Sequence, residues 1–221
     1  MRLGGGGTLS GSDAAYDTEE GRLRASYEIS PGFKPFADAF VNRRDYDFAR
    51  DSSGILRGSD GTGAEGGVAF DLRTLTGEAA IGWQAQRPRD PLTPELSGVI
   101  TRAALVWMPT PITIVRFKAS TGLDETPFAA TTLALTRSYS VELQHSLRID
   151  LDALANAGFT KEDYTGTGRE DRWTKYGAGL VYKANRHLWL KANYSYEQLD
   201  SSTPSSSYHA NLFTFGIRIQ Q

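Results

Sequence analysis

Gly61-Thr-Gly-Ala-Glu-Gly66 has the G-x-G-x-x-G spacing with which backbone amides cradle a pyrophosphate. That chemistry needs a strand before the glycines and a helix after them. Here a polar loop precedes and an alternating pattern follows, so the glycines read as a loop entering a strand. His145, His187 and His209 lie far apart, and no two have metal-ligand spacing. Asp45, Asp47, Asp51 and Asp60 do not have the spacing of a calcium loop and read as a solvated loop. His209 follows a loop whose rim would also carry Asp200, Asp163 and Asp124, groups suited to acid/base work, but no serine nucleophile is singled out. Asn193-Tyr-Ser195 matches a glycosylation sequon inside a strand. Cysteine is absent, which removes disulfide and thiol chemistry. The sequence therefore assigns no catalytic residue, no metal ligand and no cofactor.

Another kind of chemistry is carried by charges in strand-like segments. Arg102, Arg116, Lys118, Glu142, Asp152, Lys175, Lys183, Lys191 and Glu197, with Asp71 and Asp150, fall on the less apolar side of alternating stretches. Lining a water-filled pore, they would create a transverse field and set ion selectivity. Paired with one another, they would plug or stiffen the interior. Both readings are open at this point.

The elements that would position them are β-strands. In the C-terminal hairpin, Leu188, Leu190, Ala192, Tyr194 and Tyr196 share one face, while Trp189, Lys191, Asn193, Ser195 and Glu197 share the other. Earlier segments repeat the theme, from a first strand near Arg22–Ser30 onward. Leu151–Ala157 also admits a helix, because Ala and Leu favour one. About eleven strands of 10–14 residues would each span roughly 25–30 Å at a tilt near 40°. Tight turns near residues 31, 75, 109, 148 and 185 alternate with longer loops. Membrane barrels place short turns in the periplasm, which would put the C-terminus there. An odd strand count predicts a partner missing upstream.

Trp107, Trp173 and Trp189 fall near strand ends and are expected to form interfacial aromatic girdles. Trp83 lies mid-strand and fits less well, and Arg137 falls on the apolar side, near enough to a loop to reach headgroups.

The 221 residues carry a net charge of -2, with no basic excess to suggest nucleic acid. No run of about 18 apolar residues could form a membrane helix, but a barrel strand needs only about 10 alternating residues. The N-terminus lacks the apolar core of a signal peptide. The expected fold class is all-β: an antiparallel up-and-down transmembrane β-barrel with 11–12 strands, truncated at its N-terminus. Residues 1–20 would be a disordered Gly-rich, polar leader or a remnant strand, and residues 21–221 the barrel. A soluble barrel or sandwich is the rival, but it would bury large residues where this chain has alternating charge.

Tyr27-Glu-Ile-Ser-Pro-Gly-Phe33, Asn42-Arg-Arg-Asp-Tyr46, Arg50-Asp-Ser-Ser-Gly54, Gly67-Val-Ala-Phe-Asp-Leu72, Val106-Trp-Met-Pro-Thr-Pro111 and Leu199-Asp-Ser-Ser202 carry a resemblance over nearly the whole chain after about residue 20. The chain resembles the outer-membrane β-barrel proteins of Gram-negative bacteria called putative beta-barrel porin 2. The resemblance implies an integral outer-membrane barrel and a pore, in some members associated with export of surface polysaccharide, and brings no catalytic residues. Ile219-Gln-Gln221 departs from the terminal Phe common in such barrels. The expected function is a porin-like channel or export conduit, not an enzyme. Its partners would be outer-membrane lipid, lipopolysaccharide and small solutes or polysaccharide. The alternatives are a non-conducting structural or adhesion barrel and a rim enzyme around His209.

Overall fold

A computed structural model describes residues 16–47, 50, 56–125, 133–164, 168–203 and 205–219. They form eleven strands: β1 (Tyr16–Ser26), β2 (Phe33–Tyr46), β3 (Ser59–Asp71), β4 (Leu75–Pro88), β5 (Leu96–Thr110), β6 (Thr113–Glu125), β7 (Leu133–Arg148), β8 (Leu151–Tyr164), β9 (Glu170–Lys183), β10 (Leu188–Ser201) and β11 (Tyr208–Ile219). Each pairs antiparallel with the next, so the sheet is a meander in chain order. It is open: β1 and β11 are its edges, with no ladder joining them among the described residues.

Tight turns close one end. Pro31-Gly32 continues a ladder in which Tyr27 N donates to Pro35 O and Phe33 N to Ser30 O. Gly32 has φ +76°, the left-handed region that suits glycine, and a Cβ there would stand 2.3 Å from Asp71 O. Pro111-Ile112 and Ile149-Asp150 make the shortest turns. The longer connections, 47–58, 89–95, 126–132, 165–169 and 202–207, all fall at the other end, as the alternation of turn signals predicts.

Two strands begin earlier than their patterns suggest. β3 starts at Ser59, so Gly61–Gly66 lies wholly within a strand and is not a loop entry. β1 starts at Tyr16 and ends at Ser26, which moves the expected first strand toward the N-terminus; residues 1–15 of the expected leader lie outside the described residues. Leu151–Ala157 belongs to β8, where pairing on both sides outweighs the intrinsic helix preference of Ala and Leu.

The sheet has two unlike faces. Phe36, Asp38, Phe40, Glu65, Gln84, Gln86, Ile100, Asp152, Asp171, Val181 and Leu199 are buried, and the register places them all on one face, the inner face. The outer face carries exposed apolar side chains, among them Ile81, Trp83, Val99, Phe213, Phe215 and Ile217. The burial difference follows from curvature: side chains on a concave face crowd, and those on a convex face splay. Ion pairs that cross several strands fit the same bend. Arg24 Nη1 on β1 lies 3.0 Å from Glu78 Oε2 on β4. Three inter-strand steps of a flat sheet would separate those strands by roughly 14 Å.

Candidate functional site: the inner face

The inner face divides into two unlike halves. On β1–β5 it is filled by an ion cluster. Arg24 grips Asp38 with a fork, Nε to Oδ1 and Nη2 to Oδ2, both at 2.8 Å. Arg22 Nη1 donates to Asp38 Oδ2 at 3.2 Å and to Glu65 Oε1 at 2.9 Å. Arg102 donates to Glu65 Oε1 at 2.6 Å and pairs closely with Glu78. The Asp38 side chain has no solvent exposure and that of Glu65 only 3%. Buried carboxylates persist only when paired and hydrogen-bonded, and here the three arginines meet Asp38, Glu65 and Glu78, with Glu20 on Arg22 at the exposed edge. The guanidinium of Arg24 also lies 4.0 Å from the Phe36 ring centroid, and that of Arg22 4.9 Å from Phe40.

Large side chains complete the packing by covering glycines. A Cβ at Gly63 would stand 2.4 Å from Phe40 Cζ, and one at Gly67 2.5 Å from Phe36 Cζ. Gln86, fully buried, occupies the space above Gly61 and donates from Nε2 to Ser59 Oγ at 2.7 Å and Asn42 Oδ1 at 3.1 Å.

On β6–β11 the inner face is open. Arg116, Glu142, Asn156, Gly177 and Ser195 are successive cross-strand neighbours, and they border a trough of about 320 Å³ with Gln144, Lys175, Gly179 and Asn193. An adjoining depression of about 480 Å³ shares Lys175 and continues past Ser140, Gly158 and Thr160 toward Trp173. Gly158 leaves room in the second depression, whereas Gly177 and Gly179 in the trough lie under the Asn156 and Asn193 side chains. A Cβ at Gly158 would find its nearest atom at 3.7 Å, and one at Gly216 at 4.0 Å.

Ten of the eleven expected lining charges stand on the inner face within this sheet: Arg102, Arg116, Lys118, Glu142, Asp152, Lys175, Lys183, Lys191 and Glu197, with Asp71 at the turn end of β3. Asp150 lies in the β7–β8 turn, bridged by Arg148 Nε at 3.1 Å, and not on a strand. Some of the charges pair. Lys175 binds Glu197, and Lys183 Nζ lies 2.9 Å from Asp152 Oδ2. Among the described residues Arg116, Lys118, Glu142 and Lys191 form no ion pair.

Arg22, Arg24, Asp38, Glu65 and Glu78 belong to the site without having been expected there. The alternation Phe36-Ala-Asp38-Ala-Phe40 was their available signal, since it sets a carboxylate between two aromatics on one face.

The register also sorts the tryptophans. Trp107 is on the outer face and half exposed, whereas Trp173 and Trp189 are on the inner face. Trp173 meets Tyr208 edge-on at 5.9 Å, and Trp189 receives Lys183 Nζ at 5.5 Å and Arg218 at 5.3 Å. The three therefore do not share one belt; Trp107 alone has a belt residue's outward position. Arg137 is on the outer face, as expected, and its charge is met by Asp163 Oδ2 at 2.6 Å. Lys161, Glu170 and Arg172 extend that pair into a chain of alternating charge beside the longer loops.

The other motifs do not assemble. His209 lies on the outer face, stacked on Tyr196 at 6.4 Å, and Asp200 accepts from Gln198. Asp45 binds Arg89 at 2.5 Å and Arg43 at 3.0 Å. Asp51 and the side chain of Asp124 lie outside the described residues. In the connection after β8, Asp171 holds the Arg169 guanidinium above its usual range through the hydrogen bonds between them.

An antiparallel meander with an apolar outer face and a charged, partly hollow inner face defines a β-barrel protein of the porin type. The chain belongs to the putative beta-barrel porin 2 family, whose profile matches residues 2–221. No curated protein matches the chain. The family and the all-β fold suggest a non-enzyme.

Proposed function

We propose that this chain is part of an outer-membrane barrel that provides a polar path across the bilayer, as a porin-like channel or an export conduit. The observation that carries the reading is the pairing of the two faces. Outward positions on strand after strand are apolar and exposed, with Phe215 at 80% and Ile217 at 71%. Inward positions at the middle of β6–β10, among them Arg116, Glu142, Asn156, Lys175, Gly177 and Ser195, are charged, polar or small and border open space. Water inside and lipid outside satisfy both at once.

The strands run 11–16 residues. At about 3.3 Å per residue and a tilt near 40° they reach roughly 28–40 Å, enough to cross the hydrocarbon and carry their ends beyond it. The short turns and the C-terminus would face the periplasm. The chain from Arg137 to Arg172 would then lie at outer-leaflet headgroup level, where lipopolysaccharide phosphates could meet its cations. Export of a surface polysaccharide is the finer version of this reading, and it rests on the family resemblance.

A second reading draws on the β1–β5 cluster, which fills its part of the interior as a structural, non-conducting barrel would. Single-channel recording from protein refolded in detergent and inserted in a planar bilayer separates the two. Discrete conductance steps are expected; silence from protein shown by heat-modifiable gel mobility to be folded would favour the structural barrel.

A further inference from the structure

We infer that solute moves along the β6–β11 half of the wall, and that this path favours small anions such as chloride, phosphate and carboxylates. The inference rests on the conduit reading and adds a place and a sign of charge to it.

The place follows from packing. Inner-face glycines on β3 lie under Phe40, Phe36 and Gln86, and the depression bordered there by Arg22, Phe40, Glu65 and Arg102 is the smaller one, about 230 Å³. Among the described residues no heavy atom stands within 3.6 Å of a would-be Cβ at Gly158 or Gly216; Gly158 borders one of the two depressions joined at Lys175, which run along β6–β10, and Gly216 lies on the adjoining strand β11.

The sign follows from which charges are already satisfied. On β1–β5 every arginine of the cluster is paired, Arg22, Arg24 and Arg102 with Glu20, Asp38, Glu65 and Glu78, and none is left to attract an anion. On β6–β11, Lys175 and Lys183 are paired with Glu197 and Asp152. Arg116, Lys118 and Lys191 have no ion-pair partner, and Glu142 is the only carboxylate in the same condition among the described strand positions of that half's inner face outside the loop end. Lys191 faces Val181 and Gly216 across the ladders, and Lys183 and Arg218 flank it diagonally beside Trp189. Glu162, toward the longer loops, accepts a hydrogen bond from Tyr164. A mobile anion passing over this half of the face meets Arg116 and Lys118 against the single carboxylate Glu142, which faces Arg116 and lies diagonal to Lys118, and then Lys191, which faces no carboxylate across either ladder.

The chain has no cysteine, so one introduced thiol reports alone. Gly216→Cys places it beside Lys191, whose Cβ would be 4.0 Å away. With the full chain in a planar bilayer under a KCl gradient, the reversal potential is expected on the chloride side. It should move toward zero in the Lys118→Gln, Lys191→Gln double variant. In Gly216→Cys an anionic methanethiosulfonate should react faster than a cationic one and reduce the conductance. Adding Lys191→Gln should reduce or reverse that preference. Conductance steps with a potassium-side reversal potential, or with none, would overturn the anion inference and leave the conduit standing. Equal labelling rates, or labelling that leaves conductance unchanged, would overturn the placement of the path. Silence from folded, inserted protein would overturn the conduit reading and this inference with it.

Discussion

Replacing Asp38 by Asn should destabilise the protein far more than any single change among the exposed lining charges. The substitution keeps the shape of the side chain and removes its charge. Arg24 loses the carboxylate held by two bonds of 2.8 Å, and Arg22 loses one of its three acceptors. Glu20 also holds Arg22, so three arginines face four carboxylates, and the substitution leaves Arg24 with Glu78 as its remaining carboxylate partner. Breaking a fully buried pair by removing one partner costs roughly 3–5 kcal/mol. The side chains of Arg22 and Arg24 keep 35% and 38% exposure, so water recovers part of the loss and about 2 kcal/mol is expected. Equilibrium unfolding by urea in detergent micelles, followed by tryptophan fluorescence, measures it. Arg24→Met in the same background removes the cation that has lost its forked carboxylate, and the two changes should couple by at least about 1 kcal/mol. The Lys175–Glu197 pair is the internal comparison. Its side chains are 55% and 34% exposed, and Glu197→Gln should cost about 0.5 kcal/mol or less. Asp38→Asn unfolding within about 0.5 kcal/mol of the parent, or strictly additive effects of Asp38 and Arg24, would refute the cluster as a structural element.

Three further outcomes test other parts of the account. Gly63→Val should lower folding yield and stability by about 1–3 kcal/mol, because Phe40 occupies the position of its Cβ, while Gly216→Ala should leave both unchanged; heat-modifiable gel mobility compares them. In single-tryptophan variants in vesicles, brominated acyl chains should quench Trp83 and Trp107. Trp173 and Trp189 should instead respond to aqueous iodide, and lipid quenching of Trp189 would reverse the face assignment. Arg137→Ala should cost less than about 1 kcal/mol in urea unfolding, since its pair with Asp163 is about one-third exposed on both sides and Lys161 still neutralises that carboxylate.

What was legible in the sequence was whatever repeats within one strand. Alternation in β10 separates Leu190 and Tyr194 from Lys191 and Glu197 without reference to any other strand, and the ladders keep that division. The same local pattern already set Trp189 beside Lys191. The belt expectation weighed its nearness to a turn above its parity, and the register decides for parity. β3 was hidden because Ser59–Gly67 has almost no side-chain pattern of its own. Its glycines become intelligible only when Phe40, Phe36 and Gln86, contributed by β2 and β4, are laid across them. The ion cluster was out of reach for a related reason. Arg24 and Glu78 are 54 residues apart, and their meeting depends on the register of three successive ladders and on the curl of the sheet. An alternating strand shows which side chains share its face, but only the ladders show which charges on that face meet. In this chain that second step separates a face of uniformly lining charges into a locked half, where every arginine of the cluster holds a carboxylate, and an open half, where Lys118 and Lys191 form no ion pair among the described residues.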